Sequence, residues 1–390
     1  RQVKELEEKN SLRETVFIVA SKSGSTSEVQ AFLDYFYDRV KAVVGEQVGN
    51  HFIAITDPGT SLEKQAKALS FKSVINADPN VGGRYSALTA FGLVPAALMG
   101  IDLRTFIENT ISFAQQCRPG IPTGRNPGVV LGVIMAEAMK VGRDKLTIIA
   151  EDPFKSFGSW MEQLIAESSG KNGFGIIPID LEPLINAEEY ATDRIFIYLK
   201  TDGINQKLIN QLIALNHPVL QFDLTDPYQI GAEFFRWEFA TAIACAVLGL
   251  NAFDQPDVQD NKTRTKNKIL LFQQQGKFNE SKPSTSLAGV EFYKSDSVKT
   301  LVGNTLRETV LNILKQTQPG DYVAINAYLP RNNATIEKLQ KLRAFVQKNT
   351  DCATTLGFGP RFLHSTGQLH KGGADNGFYL QITDDPGINL

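Results

Sequence analysis

Val16-Phe17-Ile18-Val19-Ala20-Ser21-Lys22-Ser23-Gly24-Ser25-Thr26 decides how the chain is read. The first five residues form a short apolar run, as expected of a β-strand covered on both faces. The hydroxyl-rich turn leads into a helical pattern at Val29, Phe32, Leu33 and Phe36. A loop at the end of a parallel strand and the start of a helix is a natural anion seat. Backbone N–H groups and the helix dipole point to one place, and Ser21, Ser23 and Thr26 add neutral donors. The ligand expected there is a phosphate, although the turn is not a Walker A loop. A hydroxyl-rich cap on an ordinary helix is the plainer alternative.

The same grammar repeats outward. His51–Thr56 reads as a second strand, ended by Asp57-Pro58-Gly59-Thr60, a turn and helix cap. A short strand follows near Ser73–Asn76, then Val81-Gly82-Gly83-Arg84-Tyr85-Ser86, whose glycines permit close backbone approach and whose Arg84 offers a permanent forked cation. Apolar helices are expected over Leu103–Cys117 and Gly128–Met139, and a strand over Leu146–Ala150. The next helix carries Trp160, Leu164 and Ile165 and ends in Glu167-Ser168-Ser169-Gly170-Lys171. A carboxylate beside such apolar bulk can act as a general base; a solvated helix end is the alternative.

The pattern restarts at Gly175, with strands at Arg194–Leu199 and Pro218–Phe222 and a long apolar helix over 231–250. Residues 263–300 are polar and read as an extended excursion. The tail returns to helix and strand order before Leu363-His364-Ser365-Thr366-Gly367-Gln368-Leu369-His370. Alternation of strands and helices implies an α/β fold with mostly parallel sheets and right-handed crossovers.

At 390 residues the chain has room for two domains, expected over 1–165 and 166–390. Hydrophobic residues make up 42%, charged residues 21%, and the net charge is −2. Such a balance implies no general attraction to nucleic acid or to a membrane surface. Three scattered cysteines show neither metal nor disulfide spacing, which fits a cytoplasmic protein, and no cofactor is expected. The chain opens inside a polar helical pattern without a methionine, so it reads as a piece of a longer protein.

Together these segments resemble the glucose-6-phosphate isomerase family, and most of all the isomerase part of bifunctional transaldolase–isomerase fusions. Four motifs carry the resemblance: Ser21–Thr26, Gly82–Ser86, Glu167–Lys171, and Phe253-Asp254-Gln255 followed by Lys262. The resemblance implies two SIS-type three-layer sandwiches, the first truncated at its N-terminus, assembled as a homodimer. It implies hexose 6-phosphate as substrate, held by Ser21, Ser23, Thr26 and the Lys22 backbone, with Gly83 and Gln368 also lining the site. Glu167 would carry the proton between C1 and C2, and Arg84 would stabilise the enediolate. Lys262 and a histidine, which in the family comes from the neighbouring subunit, would open the ring.

Departures accompany the likeness. The Gly-Val-Glu usual before the lysine reads Asp257-Val258-Gln259. The His-Ser-x-Gly-Gln pattern stands near the C-terminus, assigning ring opening to His364, with His370 second. The family's earlier strand and Gly/Ser-rich loop are missing, which predicts weak sugar-phosphate binding and low activity. A non-catalytic SIS-type module that senses a sugar phosphate is the competing reading; it needs the phosphate loop but not Glu167 or Lys262.

Overall fold

Strand-turn-helix units dominate the computed structural model, which describes residues 2–277, 282–299 and 303–384. The elements run α1 (Gln2–Lys9), β1 (Phe17–Ala20), α2 (Ser27–Val44), β2 (Phe52–Thr56), α3 (Ser61–Ala68), β3 (Ser73–Asn76), α4 (Ala90–Leu98), α5 (Leu103–Gln116) and α6 (Pro127–Lys140). Next come β4 (Lys145–Ala150), α7 (Phe157–Ser169), β5 (Ile177–Ile179), β6 (Arg194–Lys200), α8 (Gln206–Ala214), β7 (Val219–Asp223), α9 (Ile230–Val247) and α10 (Pro256–Gln275). The chain continues through β8 (Thr285–Leu287), β9 (Val290–Phe292), α11 (Leu306–Leu314), β10 (Tyr322–Tyr328), α12 (Asn333–Lys348), β11 (Ala353–Phe358), α13 (Arg361–His364), α14 (Gly367–Gly372) and β12 (Gly377–Thr383).

The chain forms two compact units: Arg1–Arg118 with Tyr228–Glu238, and Pro119–Pro227 with Phe239–Asp385. The boundary expected at 165/166 falls inside α7. Met161, Leu164, Ile165 and Ala166 of that helix are fully buried, and Ala166 packs with strand residues of the second unit, so the helix cannot be divided there.

In the first unit β1, β2 and β3 form a parallel sheet in sequence order. Phe52 stacks between Phe17 and Phe71, each at 5.2 Å between ring centres. Leu33, Val40, Leu62 and Ala66 close the core from α2 and α3. Complete burial of a side chain the size of Phe52 stabilises by roughly 1.5–3 kcal/mol. The strand at β1 is not covered on both faces as its apolar run predicts. It is an edge strand, and Ile18 is exposed.

The second unit has a four-stranded parallel sheet, β5-β4-β6-β7, and a three-stranded parallel sheet, β11-β10-β12. Ala166 of α7, Ile177 and Ile179 of β5, Tyr322 and Ala324 of β10, Ala353 of β11 and Leu369 of α14 share one apolar cluster. Buried charges join the same parts. Glu182 accepts from Arg194 Nη1 at 2.7 Å and from the Thr354 N–H at 2.7 Å. Arg343 donates to the carbonyls of Asp180 (2.9 Å) and Leu181 (2.8 Å) and to Thr354 Oγ1 (2.9 Å). The polar stretch expected as an extended excursion begins instead as α10, and β8 pairs with β9 in an antiparallel hairpin. Besides that hairpin, two more strands were not foreseen, β5 and β12. The first is only three residues long, and the second follows a glycine-rich turn close to the end of the chain.

Arg194 is 1% exposed. Glu182→Ala would remove its closest carboxylate and leave only Asp193, at 4.0 Å, as a charged partner, so a urea titration of this variant should show a loss of about 3 kcal/mol.

Candidate active-site residues

In the first unit the Ser21 loop and the Gly82–Ser86 segment stand at the same end of the sheet, because β1, β2 and β3 are parallel and each segment follows a strand. Parallel sheets place ligands at this carboxyl edge. Lys22 ties the loops together: its ammonium meets Asp57 Oδ2 at 2.6 Å, after β2, and the Asp78 carbonyl at 3.0 Å, after β3. The Lys22 carbonyl accepts from the Asp57 N–H at 3.2 Å. The two aspartates were not anticipated. They lie 35 and 56 residues away from the lysine, beyond the reach of a local motif.

Within the loop, Ser21 Oγ lies 3.2 Å from Thr26 Oγ1, and Ser23 Oγ lies 3.0 Å from Ser25 Oγ. Thr26 is the N-cap of α2, yet its side chain makes no cap hydrogen bond. The loop turns at Gly24, with φ of +66°. A Cβ there would lie 2.9 Å from the Leu62 N–H and from Thr60 Cβ. Only glycine combines that dihedral with that proximity. Arg84 sits in the turn Gly83–Tyr85, 6% exposed and 5.7 Å from the Tyr85 ring centre, and Ser86 Oγ donates to the Gly83 carbonyl at 2.6 Å.

The second unit gathers the other motifs. Glu167 is 8% exposed on the last turn of α7 and accepts from Gln163 Nε2 at 3.2 Å. The turn behind it is pinned by Lys171, which donates to the carbonyls of Asn251 (2.6 Å) and Asp254 (2.7 Å) and pairs with Asp254 Oδ1 at 2.6 Å. The Glu167–Lys171 and Phe253–Gln255 motifs are thus one structural knot. Gln368 extends it, donating to the Gly170 carbonyl at 2.9 Å and to Asp257 Oδ2 at 2.5 Å while accepting from the Asp257 N–H at 3.0 Å. Both amide protons are committed, so Gln368 holds α7, α10 and α14 together instead of presenting a donor to a ligand. Gly170 is needed for the approach, since a Cβ would fall 2.3 Å from Leu369 Cα.

Lys262 lies on α10; its side chain falls outside the described residues, as do those of Val258 and Gln259. His364 ends α13, which follows β11. His370 is of another kind. Its ring packs edge-on to Tyr379 at 5.0 Å and lies 6.4 Å from Tyr322; burial, with a smaller effect of Lys371, lowers its pKa to about 4.

A nest of N–H groups exists after β6, and the protein fills it with its own carboxylate. Glu151 accepts from Tyr198 Oη at 2.5 Å and from the N–H groups of Thr201 (2.8 Å), Gly203 (2.8 Å) and Asn205 (3.0 Å). Burial raises its pKa, and these hydrogen bonds outweigh burial, bringing it from 4.5 to about 2. Its stabilisation is complete above pH 4.5 and is lost as pH falls towards 2. Glu151→Gln should therefore flatten the acid limb of a stability–pH profile followed by circular dichroism. If the Ser21 loop seats a phosphate, Gly24→Ala should weaken binding of inorganic phosphate at least about 10-fold by calorimetry, through the strained dihedral and the clash.

Residues 1–176 match the family model described as Phosphoglucose isomerase, a span that includes the Ser21 loop, Gly82–Ser86 and Glu167–Lys171. The chain is 27% identical over 302 residues to the glucose-6-phosphate isomerase of Carboxydothermus hydrogenoformans, covering 64% of each chain. It is 29% identical over 307 residues to that of Parabacteroides distasonis, covering 67% of each. The matches thus span about two thirds of these relatives' length. Among solved structures, the fold is similar to a hypothetical protein of Thermus thermophilus, with TM-score 0.58 and 22% identity over 69% of this chain and 75% of that one. It is similar also to a glucose-6-phosphate isomerase of Chlamydia trachomatis, with TM-score 0.56 and 19% identity over 69% of this chain and 62% of that one. The model described as Phosphoglucose isomerase thus matches the first 176 residues, and proteins named glucose-6-phosphate isomerase are similar to about two thirds of the chain.

Proposed function

We propose that the protein interconverts glucose 6-phosphate and fructose 6-phosphate through an enediolate, as a homodimeric cytoplasmic enzyme of glycolysis and gluconeogenesis. The observation that carries this reading is Glu167: a carboxylate 8% exposed, at a helix end whose following turn is locked by Lys171. Relatives whose names are glucose-6-phosphate isomerase support it. Among the described residues no helix is long and apolar enough to cross a membrane.

Isomerising an aldose to a ketose moves one proton between neighbouring carbons. Glu167 takes it from C2 and returns it to C1, while the carbonyl oxygen gathers negative charge. Arg84, held in its turn, meets that charge; one preorganised donor of this kind is worth roughly 3 kcal/mol. Ser21, Ser23, Thr26 and the backbone at Lys22 and Gly83 hold the phosphate, whose binding energy orients carbons remote from it. Lys262 and His364 open the sugar ring. His364 is preferred over His370, because the low pKa and aromatic surroundings of His370 suit a packed neutral ring. Gln368 positions these groups.

Glu167→Gln keeps the shape and hydrogen-bonding capacity but cannot take the proton. The variant should lose at least about 100-fold in kcat in a coupled isomerase assay, with the affinity for a phosphate-bearing sugar analogue within about threefold of the native chain. A sensing module would show no turnover in the native chain and the same binding in both.

A further inference from the structure

Five residues before Glu167, α7 carries a second buried carboxylate, Glu162, which the proposed isomerisation does not use. Arg361, the first residue of α13, faces it: Nη2 lies 3.6 Å from Glu162 Oε1 and also donates to the Ser159 carbonyl, in the first turn of α7. The guanidinium therefore bridges two points on the helix that ends in Glu167, from a helix whose last residue is His364. We propose that Arg361 is a positioning residue for isomerisation, clamping the His364 helix onto the Glu167 helix through the Ser159 carbonyl and the Glu162 carboxylate. The role rests on the reading of Glu167 and His364 given above.

The charges around Glu162 make this clamp responsive to pH. Burial raises its pKa to about 7; Arg361 opposes that, Asp180 adds to it, and Arg343 and Arg331 oppose it more weakly. These groups come from α13, from the residue after β5, from α12 and from the connection that precedes α12. Asp180 accepts from Ser159 Oγ at 2.9 Å, so its carboxylate is engaged at the same end of α7. Below pH 7 Glu162 is neutral and Arg361 retains only the carbonyl. Above pH 7 the carboxylate is charged and draws the guanidinium in. The effect on global stability has the opposite sign: ionising a buried carboxyl costs the fold stability as pH rises from 4.5 through 7. A local tightening against a global loss separates this clamp from an ordinary stabilising ion pair.

Hydrogen exchange of residues 361–372 and fructose 6-phosphate turnover, both on the full chain between about pH 6 and 8, test the proposal. After correction for intrinsic rates, the native chain should exchange there about twofold more slowly or better at pH 8 than at pH 6, and Glu162→Gln should remove that difference. Arg361→Ala should raise exchange and lower kcat about 10-fold with KM within about twofold, since the phosphate seat is untouched, and Arg361→Lys should recover part of the loss. If Arg361→Ala fails to fold, Glu162→Gln alone decides. Unchanged exchange and kcat in a chain that turns over would overturn the clamp. A native chain without turnover, but with the exchange effects intact, would overturn the isomerase reading and with it any part for Arg361 in catalysis.

Discussion

The second unit depends on a buried carboxylate that two strands and a loop share. Glu182 holds Arg194 of β6 and Thr354 of β11, while Arg343 ties the Thr354 strand to the residues after β5. Among the described residues the two parallel sheets of this unit have no ladder between them, so these bonds, with the apolar cluster around Tyr322 and Leu369, fix their relation. Burying charged and polar groups together is unfavourable unless each finds partners. That requirement makes the arrangement specific: Ala353 in place of Thr354 would leave Glu182 without its hydroxyl donor.

Everything chemical in that unit stands on the surface so created. Glu167 lies on the last turn of α7, Lys171 pins the turn behind it, and Gln368 locks α14 and α10 against the same turn. None of these contacts joins residues close in sequence. Lys171 reaches 83 residues to Asp254, and Gln368 reaches 198 residues to Gly170. Each was visible as a motif, but the bond between motifs was not, because a motif records residue types and not their long-range partners.

The first unit was more legible, and the reason is local. A strand, a hydroxyl-rich turn with glycine at positive φ and a helix follow one another within α/β grammar, so Ser21–Thr26 could be placed at the carboxyl edge from its own residues. The parallel order of β1, β2 and β3 follows from the crossover helices. The exposure of β1 did not follow. Apolar content does not distinguish a central strand from an edge strand whose one face meets solvent, and the neighbour on its open side is a matter of topology. The start of α10 was missed because Asn, Thr, Lys and Gln in Gln255–Gln275 give no apolar stripe, and its order comes from Pro256 at the first turn and Gly276 in left-handed conformation at the end.

The charge arrangement at the phosphate loop carries one more step. Lys22 is the cation of that loop, yet its ammonium is paired with Asp57 at 2.6 Å and bound to the Asp78 carbonyl. Its charge is largely neutralised by Asp57, and it ties together the ends of the three strands. In the proposed reading, attraction for phosphate at this loop would come from hydroxyls and from the α2 dipole, which are suited to an anion's oxygens. The contrast with Glu151 supports this division of labour. A cluster of N–H groups after β6 holds a carboxylate of the protein itself, at a pKa of about 2, with tyrosine and backbone as its donors. At Glu151, oriented N–H groups and a tyrosine hydroxyl are enough to hold an anion.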